Sequence, residues 1–432
     1  MTEDSIPHWL KEEDALSLDR VLLRHCALLP GTTESEIRSR RVIRFVICII
    51  MITMIIGDFI ELYNSRSSFM NIIQCMSIGI TLTKCLIKFI VVIQHEKELR
   101  YVLEKLMTNF YIHENIFKEK IISTIKEKKK TAWWISIPYI CNFISTIVLM
   151  GLDKTSSLVY RPSNEPEYRN DTNETVAFTR LLPLRVWLPI NQQLSPQYEI
   201  GYFYQLIVFA YIIYSTTIID TFIAVIMMYV STQFELLGSS IRQAKENVSQ
   251  LLEMKYINVH NIVVEDGTGT DESLEWREEM DNYLRLCVLR HQSLFEFMNR
   301  MNLLSSPIEF VQAVTSSILL CTLGFTAIYI GDVSILPRLM MYTSNILLQI
   351  GLPCYYATQL QVQSLNIADA AYSCEWYNEP VSFQKSICMI IMRAQKPVYI
   401  YFGPFGTLSL ELFATVVQSA YTYITLLRQV YE

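Results

Sequence analysis

Six apolar runs, each long enough to cross a bilayer, leave this chain few folds to choose from. A transmembrane helix needs about 20 predominantly apolar residues. Val42–Ile60, Phe69–Ile93, Ala132–Leu152, Gly201–Val230, Pro307–Ile330 and Leu336–Leu360 satisfy that requirement. A seventh run, Phe405–Leu427, is less hydrophobic and carries Ser409, Glu411, Gln418, Ser419 and Thr422. Backbone groups inside lipid must be paired within their own segment, so runs of this length are helices, and a polar stripe on one must face protein or water. The expectation is an all-α membrane protein with seven transmembrane helices. The charge content agrees: 18% charged against 51% hydrophobic residues is too little charge to solvate a globule of 432 residues.

Orientation follows from basic residues near the spans. Arg38, Arg40, Arg41 and Arg44 crowd the start of the first span, and nine Lys/Arg lie between His95 and Thr131. The opposite side is poor in bases, with Arg66 alone between spans one and two and none in Gly331–Ile335. The amino terminus is therefore expected in the cytoplasm and the carboxyl end outside. Met1–Glu36 has no apolar core or cleavage site of a secretory signal, so the first span is expected to act as its own insertion signal. Two adjacent glycosylation signals, at Asn170 and Asn173, fall in the large loop Asp153–Ile200 that this topology places outside. A third, at Asn247, falls on the cytoplasmic side, where it would be silent.

The chain divides accordingly. Residues 1–41 form a cytoplasmic amino-terminal segment, and 42–230 hold helices one to four with the outer loop 153–200. Residues 231–306 read as helices running on from span four and into span five, which would project as a bundle and bury their apolar stripes against neighbours. Residues 307–360 hold helices five and six, 361–398 form a second cytoplasmic helical piece broken at Pro380, and 399–432 hold the last helix and the carboxyl end.

No constellation supports enzyme chemistry. Asp266-Gly267-Thr268-Gly269-Thr270 superficially matches a phosphorylated-aspartate motif, but lacks the usual Lys and the preceding strand, and reads better as a glycine-containing loop. The six histidines are scattered, and the ten cysteines show no ligand spacing, so no metal or cofactor is expected. A net charge of −6 without a basic, aromatic-interleaved tract argues against nucleic acid. Lys84 and Lys88, one turn apart in span two, are expected to snorkel toward the inner headgroups. Asp220, an ionisable group among Ile218, Ile219, Phe222 and Ile223, is expected to pair with a base.

The carboxyl end is the most specific part of the sequence. Glu375-Trp376-Tyr377 is followed by Arg393-Ala394-Gln395-Lys396-Pro397 and by Thr407-Leu408-Ser409-Leu410-Glu411-Leu412-Phe413. The run Ala420-Tyr421-Thr422-Tyr423-Ile424-Thr425-Leu426-Leu427-Arg428-Gln429 closes the series. In this order the elements resemble the signature of the insect odorant receptors. The resemblance implies a ligand-tuned subunit of a tetrameric, ligand-gated, non-selective cation channel, assembled with a common co-receptor in the plasma membrane of olfactory sensory neurons. It implies that the last span lines the pore and that residues 361–398 contribute to a cytoplasmic anchor. On that alignment Leu426 and Val430 occupy an outer hydrophobic gate, with Thr422 and Gln429 beside them.

The resemblance further implies a volatile organic ligand held in the outer half of spans two, three, four and six. Depth and helical spacing select Cys75, Met76, Gly79, Ile147, Met150, Tyr204, Val208, Tyr211, Met341, Ser344 and Asn345 as its lining. Besides the co-receptor and the ligand, membrane lipid is the expected partner. The related gustatory receptors are the alternative within this resemblance. A G-protein-coupled receptor is disfavoured by the cytoplasmic amino terminus and by the absence of cysteine from Asp153–Ile200.

Overall fold

In a computed structural model, the residues described are 23–24, 26–29, 33–66, 69–108, 127, 130–131, 133–141, 144–146, 148, 182–190, 194–260, 272–330 and 336–431. They form a bundle of long helices. The helix α1 is Glu34–Asn64, α2 is Phe69–Gln94 and α3 is Glu96–Thr108. Residues 133–141 and 144–146 of the third span are helical. Then come α4 (Gln197–Arg242), α5 (Ala244–His260), α6 (Glu272–Ile330) and α7 (Leu336–Ser373). A short 3-10 turn at Trp376–Asn378, α8 (Val381–Ala394) and α9 (Leu410–Tyr431) complete the chain.

Four of these helices are long and apolar enough to cross a membrane by length and composition: α1, α2 over Asn71–Gln94, α4, and α6 over Glu275–Ile328. With 46 residues in α4 and 59 in α6, a rise of 1.5 Å per residue makes them about 70 and 90 Å long. A hydrocarbon core of about 30 Å leaves more than half of each outside. The part of α4 beyond Val230, α5, the first half of α6, the end of α7 and α8 pack together around Phe234, Leu237, Val248, Leu294, Phe297 and Ile387. Asn247 is buried there, its amide donating to the Tyr283 hydroxyl (2.9 Å) and the Ser240 carbonyl (3.3 Å), a packing that leaves no room for a glycan on it. Pro380 caps the start of α8, in agreement with the break expected at that residue.

The side chain of Arg44 pins the amino-terminal segment to the bundle. The turn at 23–29 closes with Leu28 N–H donating to Leu23 O (3.0 Å) and Ala27 N–H to Arg24 O (3.1 Å), with Ala27 left-handed at φ 56°. This is the hydrogen-bond pattern of a helix C-terminus, usually completed by glycine. The buried Arg44 guanidinium donates to the carbonyls of Ala27 (2.6 Å), Leu28 (3.1 Å) and Leu29 (3.2 Å) and pairs with Glu96 at 2.6 Å. Leu23 is thereby driven against Val92, Leu99, Ile219, Phe222, Ile223, Leu304 and Ile308, around a residual cavity of only about 10 Å³.

At the opposite end, residues 182–190 fold back onto the helices. Leu184 and Val186 are buried among Met51, Met54, Leu82, Cys85, Phe209, Ile212 and Ile213. Gln205 of α4, fully buried, accepts from Leu184 N–H (3.0 Å) and donates to Val186 O (3.1 Å). The N–H of Trp187 donates to the Gly57 carbonyl (3.1 Å). Only glycine fits at 57, because a β-carbon there would stand 2.5 Å from Trp187 O.

Between α8 and α9 the chain turns back through an isolated bridge, Tyr401 to Thr407, with Gly403 at φ 57°. Side chains of α6 and α7 satisfy its backbone. Asn302 donates to Tyr399 O (2.9 Å) and accepts from Tyr401 N–H (3.2 Å), Ser306 accepts from Gly403 N–H (3.0 Å), and Thr358 accepts from Leu410 N–H (3.0 Å). The last helix therefore starts at Leu410, five residues after the apolar run that marks it in the sequence.

Candidate functional site

Three groups of residues are candidates for the functional chemistry: those expected around the ligand, a polar cluster midway along the bundle, and one face of α9. Cys75 is fully buried on α2, and Gly79, one turn further, lies against the Asp58 carboxylate of α1. Val208 is half-buried against the cluster that holds Leu184 and Val186. Met341, Ser344 and Asn345 are half-buried on α7, with the Ser344 hydroxyl donating to Met341 O at 2.8 Å. Met76 and Tyr204 are exposed, at 47% and 37%. The Tyr211 hydroxyl donates to Cys26 O at 3.4 Å, next to the amino-terminal segment. Ile147, Met150, Asn170 and Asn173 lie outside the described residues.

The polar cluster departs from what depth suggested for Lys84 and Lys88. Neither lysine snorkels: they are 3% and 0% exposed and turn into the bundle. The Lys88 ammonium donates to Asp220 of α4 (2.5 Å) and to the Gln312 carbonyl oxygen of α6 (2.7 Å). The Lys84 ammonium donates to Gln349 of α7 (2.9 Å). The Gln312 amide donates in turn to Ser316 (2.8 Å) and to the same Gln349 oxygen (3.2 Å). Glu309, one turn before Gln312, is buried within electrostatic reach of Lys88 and Asp220. Among the described residues, Lys88 and Asp220 form the one ion pair in this cluster, and the amides of Gln312 and Gln349 complete its hydrogen bonds, as a buried pair requires. The base expected to pair with Asp220 is thus Lys88.

The third span joins this level through Tyr139, whose hydroxyl donates to Leu348 O (3.1 Å). Gln205, Gln312, Gln349 and Asp58 were not singled out by sequence reasoning. Each stands alone inside an apolar run, a signal that weighs as heavily for an amide or a lone acid as for a lysine. Asp58 keeps one oxygen without a partner among the described residues. No three His, Cys, Asp or Glu side chains converge as a metal site among the described residues.

The α9 helix has a buried side and an open one. Val416 and Ala420 are buried, Phe413 lies 3.3 Å from where a β-carbon at Gly351 of α7 would be, and Ile424 covers Gly324 of α6. On the other side Glu411, Thr415, Gln418, Thr422, Leu426 and Gln429 are all exposed, at spacings of three and four that place them on one stripe. The Thr415 and Thr422 hydroxyls donate to the carbonyls of Glu411 (2.9 Å) and Gln418 (3.0 Å), so they wet the surface without leaving the helix strained for partners. The side chain of Val430 lies outside the described residues.

Comparison with known proteins places this architecture. A family model described as 7tm Odorant receptor matches residues 68–421. Odorant receptor 10 of Aedes albopictus is 28% identical over 254 residues, which cover 59% of this chain and 61% of that protein. The match thus spans less than two thirds of that relative's length. The odorant receptor coreceptor of Anopheles gambiae is 22% identical over 348 residues, covering 68% of this chain and 69% of its own. The olfactory receptor OR5 of Machilis hrabei superimposes with a TM-score of 0.76 at 18% identity, over 96% of this chain and 97% of that one. The same receptor in complex with eugenol superimposes with a TM-score of 0.75. The chain is a membrane-spanning helical protein and belongs to the 7tm odorant receptor family.

Proposed function

We propose that this chain is a ligand-tuned subunit of a ligand-gated, non-selective cation channel. The observation that carries the reading is the open stripe of α9. Six exposed residues, four of them polar and uncharged, lie on a membrane helix whose other side is packed against α6 and α7. Such a face must meet water or protein rather than lipid. Copies of α9 gathered around one axis would give it water, with Leu426 and Val430 as apolar rings that close by dewetting. Similarity to a co-receptor supports assembly with such a subunit, in the heterotetramer proposed here, and the eugenol complex of the similar receptor supports a small organic ligand.

The ligand would sit in the outer half of the bundle, among Cys75, Val208, Met341, Ser344 and Asn345, with Ile147 and Met150 of the third span. The amino terminus would be cytoplasmic, the loop 153–200 outside with glycans at Asn170 and Asn173, and the setting the lipid of an olfactory neuron's plasma membrane. Recording from cells expressing the chain with and without a co-receptor, against an odorant panel, tests the reading. Ligand-evoked cation current is expected with the co-receptor, and silence to the whole panel by a chain present at the surface would sink it.

A further inference from the structure

The buried polar cluster does more than neutralise its own charges. It is the one level among the described residues where side-chain hydrogen bonds join α2, α4, α6 and α7 in a continuous chain: Asp220 to Lys88, Lys88 to Gln312, Gln312 to Gln349, Gln349 to Lys84. On its inner side lies the tightly packed apolar floor of Leu23, Phe222, Leu304 and Ile308. On α7, Met341, Asn345 and Gln349 recur every fourth residue, so the cluster continues the helix face proposed to meet the ligand. Gly351, two residues beyond Gln349, faces Phe413 of α9, and the α6 helix that carries Gln312 also carries Gly324 beneath Ile424.

We propose that Gln312 is a positioning residue that couples the ligand-bearing helices to the pore helix. Its carbonyl oxygen receives the Lys88 ammonium from the α2–α4 ion pair, and its amide holds Gln349 of α7. Apolar contacts above and below can slide with little loss, because dispersion and burial are not directional. Hydrogen bonds to a buried ammonium cannot, so movement of α2 or α4 at this level carries α6 and α7 with it. Those two helices hold α9. The inference rests on the ligand-gated reading above.

The test is Gln312→Met, of similar volume. It removes the α2–α6 and α6–α7 links while leaving Lys88 with Asp220 and Lys84 with Gln349. Co-expressed with the co-receptor, the variant is compared with the wild type by the concentration giving half-maximal current and by the ratio of maximal ligand-evoked to basal current. A purely structural role would change the number of channels, scaling basal and evoked current together and moving neither quantity. Loss of coupling is expected to lower the ratio about tenfold, the size of one hydrogen bond to a charged group. The double variant Lys88→Met with Asp220→Leu, which replaces the buried pair by apolar side chains, is expected to do the same. Both quantities within about twofold of wild type in whichever variant reaches the surface would overturn the inference, as would failure of both to reach it, since the cluster would then serve folding alone. A wild-type chain that never responds would instead sink the channel reading.

Discussion

Ile424 of α9 lies over Gly324 of α6 so closely that a β-carbon at 324 would stand 2.8 Å from its Cγ1. The absence of a side chain at 324 sets how near the two helices come. Gly324→Ala should push the flexible Ile424 end or α9 itself aside, at a cost of about 1–3 kcal/mol of overpacking. Because α9 is the proposed pore helix, the half-maximal concentration for ligand-evoked current should move by about fivefold or more. Adding Ile424→Ala should restore it to near wild type. Equal shifts in the single and double variants would separate this contact from gating.

Leu426 is 53% exposed on the open stripe of α9, between Thr422 and Gln429. Replacing Leu426 or Val430 with Ser should wet the constriction and raise current in the absence of ligand, whereas Val430→Trp should lower it. Cysteine placed at 426 should react with a permeant thiol reagent only while ligand holds the channel open. A cysteine that stays unmodified in the open state would remove α9 from the pore wall.

Among the described residues, Gln205 alone supplies a side-chain partner to both the Leu184 N–H and the Val186 carbonyl. Gln205→Leu would leave two buried backbone groups unpaired, each costing about 1–3 kcal/mol. Gly57→Ala would drive a β-carbon into the Trp187 carbonyl at 2.5 Å and the Val186 side chain at 2.9 Å. Both variants should lower the melting temperature of the detergent-solubilised protein and speed proteolytic cleavage within 182–190. Unchanged melting in both would mean that this segment is not docked in the membrane-embedded protein.

In the helical extension proposed to lie outside the membrane, His291 is buried against Phe295, ring centroids 4.7 Å apart, and lies near Arg393. Burial, helped by the Arg393 charge, lowers its pKa to about 4 from the ordinary 6.5. The folded protein therefore refuses a proton that the unfolded chain accepts. Stability is full above pH 6.5 and falls as pH drops from 6.5 toward 4, by at most about 3 kcal/mol. His291→Phe should flatten the pH dependence of melting in that window. A wild-type and variant pair with parallel curves would assign the acid loss to other groups.

The sequence alone determined that the chain is helical and lies in a membrane, because both follow from local composition. An apolar run of about 20 residues has no other way to satisfy its backbone in lipid. Pro380 stands where the second extension breaks, and the carboxyl-terminal motifs carry the family. The run Phe405–Leu427 was visible as the polar member of the set, although the helix itself waits for Leu410, where Thr358 supplies the first amide's partner.

Only the tertiary structure decided what the polar residues inside the helices face. Periodicity fixes the depth of Lys88 along α2, but not the rotation of α2 about its axis. That rotation depends on Asp220 and Gln312, which lie 132 and 224 residues away in sequence. Read by depth alone, a lysine in the inner half of a span belongs at the headgroups. With a carboxylate and an amide converging on its ammonium, it belongs in the core. The same holds for Gly79, chosen for depth and found against Asp58, and for Gln205, which no local pattern ties to a loop about twenty residues earlier. Long-range partners override local preference wherever a buried charge or amide must be satisfied, since leaving one unpaired at low dielectric costs more than any helix propensity supplies.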